Sequence, residues 1–264
     1  MSYSTLEVKR DAGLTWLTLN RPNALNALNG SMVDELCRFF AGLHQDRDTR
    51  VVVLRGAGRA FCAGLDLKDP PAPDDSGISA TLRGQRRVSR IALEMHRAPQ
   101  PIISLVQGPA CGGGFALALA SDVRIAGESA RMNAAFIKIG LSACDVGVSY
   151  FLPRLVGASV ASELMLTGRF IHAERAKGLG LVSRVVADDE LEAAGRELAL
   201  EMLATTPLGL KLTKECLRAS IDAPNLESAI AMEDRNQVIC AQSEDFREGV
   251  RAFLEKRTPH YHDA

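Results

Sequence analysis

Two short apolar runs, VVVL at residues 51–54 and PIISLV at residues 101–106, each break directly into a glycine-rich loop. Neither run alternates apolar with polar residues, which marks strands buried on both faces, as in a parallel sheet covered by helices. The loops read GAGRAFCAGLDL over residues 56–67 and QGPACGGG over residues 107–114, and the second opens a helix over residues 115–120. Glycine lets a backbone adopt conformations closed to other residues and approach a ligand closely. A helix starting at Gly113 aims unpaired N–H groups and a positive dipole end into the space before it. With the strands as neighbours, two amides from separate loops converge on one oxygen, which is an oxyanion hole. A lone GGG is more often a tight turn or close helix packing. The pairing with FCAGLDL points to a site.

Composition narrows the function classes. With 264 residues, 47% of them hydrophobic and 24% charged, the chain can bury a large core and disorder is not expected. A formal net charge of −1 lacks the positive excess of a nucleic-acid binder, so no nucleic-acid partner is expected. The six cysteines, Cys37, Cys62, Cys111, Cys144, Cys216 and Cys240, form no CxxC pair and frame neither a zinc site nor a disulfide scaffold. The first residues lack the order of a signal peptide. No apolar run reaches the roughly 18–20 residues of a membrane span. A cytoplasmic protein without a membrane partner is expected.

Along the chain, residues 6–9 and 14–19 read as strands across a turn at Asp11, Ala12 and Gly13. After a turn-rich loop at residues 20–28, Ser31 is placed as a helix cap, with Asp34 and Glu35 in the first turn. Residues 78–96 read as a helix, and the proline-rich stretch 69–77 before it as a solvated connector or a pocket lid. Residues 123–126 form a last strand-like run. Helices then open at Asp188 and Asp189, Pro207, Asn225 and Ser243, the last with Phe246, Val250, Phe253 and Leu254 as its apolar stripe. The expected fold class is α/β, with a strand-rich core over residues 1–195 and a helical region over residues 196–264 for oligomer contacts.

Several common chemistries drop out. There is no GxxxxGK[ST], HExxH or GxSxG, and Phe61 stands where a dinucleotide loop needs its third glycine. The histidines, His44, His96, His172, His260 and His262, show no ligand spacing. No metal and no cofactor is expected.

The strings NRPNALNAL (20–28), AFCAGLDL (60–67), CGGGFALALASD (111–122), LPRLVG (152–157), LTGR (166–169) and AKGLGLVSRV (176–185), in that order and spacing, resemble the enoyl-CoA hydratase/isomerase, or crotonase, superfamily across nearly the whole chain. The resemblance implies a crotonase-like spiral of ββα units with a C-terminal helical trimerisation region, assembled as a homotrimer or hexamer. It also implies an acyl-CoA substrate, with coenzyme A entering as part of that substrate, and thioester binding by the N–H groups of Leu65 and Gly113. Enolate charge would land on the thioester oxygen, where each donor supplies about 2.7–4 kcal/mol in a dry pocket.

The same resemblance exposes two departures. Hydratases of the family place glutamates where this chain has Ala116 and Phe136, and neither side chain transfers a proton. Asp145, in SACDVG, is the remaining acid/base candidate; the alternative is a cap for a helix beginning near Val146. For coenzyme A the resemblance points to Lys68, Phe253 and Lys256, the last two reaching from a neighbouring subunit. Arg21 is placed near the nucleotide or in a structural ion pair, and Leu25 and Ala63 act through backbone or packing. Asp66 and Asp122 read as structural carboxylates, and Arg83, Arg86, Arg87 and Arg90 as a solvated or intersubunit face. The expected activity is therefore acyl-CoA processing of the hydratase/isomerase type. The alternatives are other enolate chemistry through Asp145 (isomerisation, decarboxylation, thioester hydrolysis) or coenzyme A binding without catalysis.

Overall fold

The computed structural model describes residues 3–71 and 77–262. Strands β1 (Leu6–Asp11) and β2 (Leu14–Leu19) form an antiparallel hairpin. At its turn Ala12 and Gly13 take φ of +47° and +88°, which matches a two-residue turn to the twist of the flanking strands. The strands that follow are β3 (Val51–Gly56), β4 (Ile102–Val106), β5 (Pro109–Cys111), β6 (Val123–Gly127), β7 (Arg131–Asn133), β8 (Ile171–His172) and β9 (Arg184–Val186). Among the described residues they build a six-stranded sheet in the order β1-β2-β3-β4-β6-β9 and a three-stranded sheet in the order β5-β7-β8. From β2 to β9 the large sheet is parallel.

Helices α1 (Gly30–Gly42), α2 (Ile78–Arg97) and α3 (Gly113–Ala120) cover one face of that sheet. There Val52 and Leu54 of β3 and Ile102 and Val106 of β4 pack in one core with Leu36, Phe40, Ile91, Met95 and Phe115. The other face carries α7 (Leu191–Leu203), whose Leu191, Ala194 and Ala199 meet Trp16, Val51, Val53, Ile103 and Leu105. Alternate residues of β3 thus feed opposite cores, which explains the unbroken apolar run. Each fully buried aliphatic side chain contributes about 1.5–3 kcal/mol of transfer free energy.

A ββα unit recurs along the chain. β4 in the large sheet leads to β5 in the small sheet and then α3; β6 leads to β7 and then, past a 3-10 turn over Ala135–Ile139, to α4 (Val148–Val156) and α5 (Ala158–Thr167). β3 begins the series: Cys62 pairs in parallel with Ala110 of β5, and α2 follows. Each turn of the spiral therefore sets one glycine-rich loop beside the next, beyond the carboxyl ends of parallel strands, where open α/β sheets bind ligands.

The start of α1 departs from expectation. Asn29, not Ser31, caps the helix by accepting from Met32 N at 3.1 Å. The helix therefore begins earlier, and Asp34 and Glu35 lie beyond its first turn. Asp34 pairs with Arg87 of α2, while buried Glu35 accepts from the backbone and hydroxyls of Ser4 and Thr5. Asp122 accepts from Ile102 N at 2.7 Å and pairs with buried Lys214.

Helix α6 (Ala173–Gly178) leads through β9 and a 3-10 turn over Asp188–Glu190 into α7; the expected boundary at residue 195 falls inside this helix. Beyond it lie α8 (Pro207–Ser220), α9 (Leu226–Ala241) and α10 (Glu244–Glu255), capped by Thr206, Asn225 and Ser243. Phe246, Val250, Phe253 and Leu254 of α10 are exposed. No helix among the described residues is long and apolar enough to cross a membrane. The proline-rich stretch expected as connector or lid falls largely on residues 72–76, outside the described residues.

Candidate active site

The two glycine-rich loops meet. Leu28 and Leu65 form a parallel bridge in which Leu28 N donates to Gly64 O at 2.7 Å and Asp66 N donates to Leu28 O at 3.0 Å. In a parallel bridge the residue opposite, here Leu65, keeps its own N–H and C=O on the far side. Leu65 N donates to no acceptor among the described residues. Gly113 is the first residue of α3, so its N–H has no intrahelical acceptor either. A methyl group on Gly64, where φ is +96°, would lie 3.5 Å from Gly113 N and 2.6 Å from Cys111 O. Only glycine permits that approach.

Both loops border one cavity of about 150 Å³. Ala63, Gly64, Leu65, Gly112 and Gly113 form one wall, and Leu28, Val88, Phe136 and Val146 much of the rest. Leu67, Ile139 and Leu141 also line it and are at least half exposed, which gives it an apolar mouth. Phe136 lies against Gly112, within 3.4 Å of the place a side chain there would occupy. Ala116 is fully buried in α3 and does not reach the cavity. A larger apolar cavity of about 420 Å³ lies between α4 and α8. It contains neither of the free amides, and the smaller one is therefore the site of interest.

Asp145 stands on the cavity wall, the only titratable side chain among its described lining residues. Its Oδ1 accepts from Val146 N at 2.8 Å and from Gln85 Nε2 at 2.5 Å. Burial pushes its carboxyl above the ordinary aspartate range, against the pull of those two hydrogen bonds. The helix-cap alternative does not hold, because α4 starts at Val148 with Gly147 as its cap residue and no side-chain cap bond. Instead Val146 takes φ of +46°, an unusual conformation for a β-branched residue, and this turn points its N–H back at the carboxylate.

The other candidate residues are distributed differently. Ala63 lines the cavity and donates its N–H to Leu25 O at 3.0 Å, while Leu25 itself has φ of +51°. The Arg21 guanidinium donates to Asp66 Oδ2 at 2.9 Å and to Ala27 O at 2.5 Å, bracing the first loop from behind. Asp66 also accepts from the amides of Lys68 and Asp69, and these bonds hold its carboxyl below the usual range despite burial. Lys68 is exposed. Phe253 and Lys256, at the end of α10, are not brought to the cavity of their own chain. Among the described residues no group of three His, Cys, Asp or Glu side chains could hold a metal ion.

Gln85 is the residue that sequence reasoning passed over. It sits among Arg83, Arg86, Arg87 and Arg90, which read as one solvated face. The available signal was its spacing: Gln85 precedes Val88, Ala92 and Met95 by helical intervals and so sits, itself exposed, at the start of the inward stripe of α2.

The sequence profile of the enoyl-CoA hydratase/isomerase family matches residues 9–264. The chain is 40% identical over 252 residues to a probable enoyl-CoA hydratase of Mycobacterium tuberculosis, covering 94% of this chain and 88% of that one. It is 37% identical over 257 residues to the 1,2-epoxyphenylacetyl-CoA isomerase of Escherichia coli, covering 95% of each. The crystal structure of an enoyl-CoA hydratase from Bacillus anthracis superposes with a TM-score of 0.93 at 33% identity, over 99% of this chain and 100% of that one. The chain belongs to the enoyl-CoA hydratase/isomerase family of the crotonase superfamily and is an enzyme of the hydratase/isomerase type.

Proposed function

We propose that the enzyme moves a proton on an acyl-CoA thioester by way of an enolate, using a single carboxylate. Leu65 and Gly113 N–H hold the thioester oxygen, and Asp145 takes the proton from the α-carbon. The C–H electron pair moves into the carbonyl, and the negative charge settles on the oxygen between the two amides. Returning the proton at the γ-carbon of a 3-enoyl thioester shifts the double bond to the 2-position. The acid and base are then one group, and no water is consumed. The observation that carries this reading is that, among the described residues, Asp145 stands alone as a titratable side chain on the wall of the cavity bordered by both free amides.

Water addition is the weaker reading. Ala116 and Phe136 occupy the positions where the resemblance to hydratases calls for glutamates, and the Phe136 ring replaces a polar group at the cavity wall. Coenzyme A enters as part of the substrate, with exposed Lys68 meeting its phosphates. Phe253 and Lys256 complete its site from a neighbouring subunit of a homotrimer or hexamer. The 1,2-epoxyphenylacetyl-CoA isomerase among the relatives fits an isomerase reading of this site.

The test is a panel of acyl-CoA thioesters, 3-hexenoyl-CoA included, incubated in deuterated water and followed by mass spectrometry. Wild type is expected to exchange α-protons and to isomerise 3-enoyl thioesters. Asp145→Asn should lose both and still bind. Unchanged turnover in Asp145→Asn removes Asp145 from the mechanism, and saturable binding without exchange by wild type marks a binding protein.

A further inference from the structure

Both hydrogen bonds to the Asp145 carboxylate fall on the same oxygen. Val146 N and Gln85 Nε2 donate to Oδ1, and Oδ2 has no hydrogen-bond partner among the described residues. The Gln85 amide is itself steadied one turn along α2, where Nε2 reaches Ser89 Oγ at 3.4 Å. The two anchors come from separate elements: Val146 belongs to the loop before α4, and Gln85 to α2. Together they fix the plane and rotation of a carboxylate that the chain otherwise leaves among apolar side chains.

We propose that Gln85 is the positioning residue of this site, holding Oδ1 of Asp145 so that Oδ2 is the oxygen that carries the substrate proton. The inference rests on the proton-transfer reading given above. A neutral amide suits the task because Asp145 must exchange a proton twice per turnover. An arginine in its place would hold the carboxylate ionised, whereas an apolar residue would leave it free to turn and prone to stay protonated. Other charged groups on the flanking elements lie outside the cavity lining. On α2, Arg87 is paired with Asp34 and Arg90 with Glu94, and Arg83 and Arg86 are exposed. On the 3-10 turn, Lys138 packs toward Gly168.

The experiment measures isomerisation of 3-hexenoyl-CoA against pH for wild type, Gln85→Met, Gln85→Lys and Asp145→Asn. Gln85 is exposed on its helix, so these variants should fold. Gln85→Met keeps the length and removes the donor. It should lower kcat about tenfold with KM little changed, and move the acid limb of kcat/KM up by about one pH unit. Gln85→Lys restores a donor with positive charge and should move that limb down instead. Loss of turnover in Asp145→Asn with kcat and pH profile unchanged in both Gln85 variants would overturn the positioning role alone. Full turnover in Asp145→Asn, or none in wild type, would overturn the proton-transfer reading beneath it.

Discussion

Leu28 uses both of its main-chain groups on the strand of Leu65, and Leu65 uses neither of its own on Leu28. This asymmetry leaves the Leu65 N–H without an acceptor among the described residues, on the cavity that Gly113 also borders. What keeps the loops in register is Gly64, which has φ of +96° and passes so close to Cys111 O that any side chain would collide with backbone.

Gly64→Ala should therefore displace one amide of the pair. The expected fall in kcat is about 10²–10³-fold, the loss seen when one donor to a developing oxyanion is removed. Gly113→Ala is the internal contrast: its new methyl group would meet Leu28 Cδ1 at 2.8 Å, the movable end of a side chain, and its helical backbone needs no positive φ. A loss within about tenfold is expected there. Steady-state kinetics on the thioester panel checks both, and equal losses in the two variants would contradict the assignment.

The proposed role of Asp145 as the base implies a pH dependence with a definite sign. Burial raises its pKa, and hydrogen bonds from Val146 N and Gln85 pull it partly back. As a base it must be ionised, so kcat/KM should rise with pH through a limb above the ordinary aspartate value of about 3.9. A raised pKa means that the folded protein binds this proton more tightly than the unfolded chain does. The resulting stability is present below the unfolded pKa and lost as pH rises through the folded one. Asp145→Asn should then melt higher than wild type at neutral pH while losing activity, a trade expected where a site stores cost for function. Calorimetry on the two proteins decides it, and a lower melting temperature in the variant would speak against a strained carboxylate.

The glycine loops were legible in the sequence because their information is local. The unbroken runs of β3 and β4 follow from burial on both faces, and Gly64 marks a place where a Cβ has no room. Asp145 was legible as a candidate, but its environment was not. The contact that orients it joins residues 60 apart in the chain, and no spacing rule reports on such a meeting. Ser31 misled for a similar reason. Ser31 and Asn29 both suit a helix cap, and which one serves is decided where the chain leaves Leu28, which is already bound to the Leu65 strand.

Glu35 offers a test of the fold away from the cavity. Its carboxylate accepts from Ser4 N at 2.7 Å, Ser4 Oγ at 2.8 Å, Thr5 N at 2.9 Å and Thr5 Oγ1 at 2.6 Å. Burial alone would raise its pKa, but these four donors outweigh it and hold the group below the usual glutamate value. The sign is opposite to that of Asp145: stability is present above the unfolded pKa and lost as pH falls through the depressed one. Glu35→Gln removes the charge and turns an amide N–H₂ toward donors, at an expected cost of about 2–3 kcal/mol at neutral pH. Urea unfolding at neutral and acid pH should show the gap between variant and wild type closing as the solution is acidified. A gap independent of pH would place the effect in packing instead.

The apolar stripe of α10 leads to the last expectation. Phe253 is 83% exposed and Leu254 74%, with Phe246 and Val250 exposed beside them, although Ser243 caps the helix and Glu244 and Asp245 occupy its first turn. A well-capped helix that holds such side chains in water gains nothing from them within its own chain. Neighbouring apolar residues in one exposed patch mark a surface that another molecule covers. The proposed homotrimer or hexamer, with Phe253 and Lys256 reaching the coenzyme A of the next subunit, would account for both the stripe and the lysine at its end. Light scattering coupled to gel filtration should then give a mass that is a multiple of three chains. Phe253→Ala should raise KM for acyl-CoA by about ten- to a hundredfold, the cost of about 1.5–3 kcal/mol of lost burial, and leave kcat nearly unchanged, because Phe253 does not line the cavity that holds Asp145. A monomer in solution, or a Phe253→Ala enzyme with wild-type KM, would leave the stripe without this role.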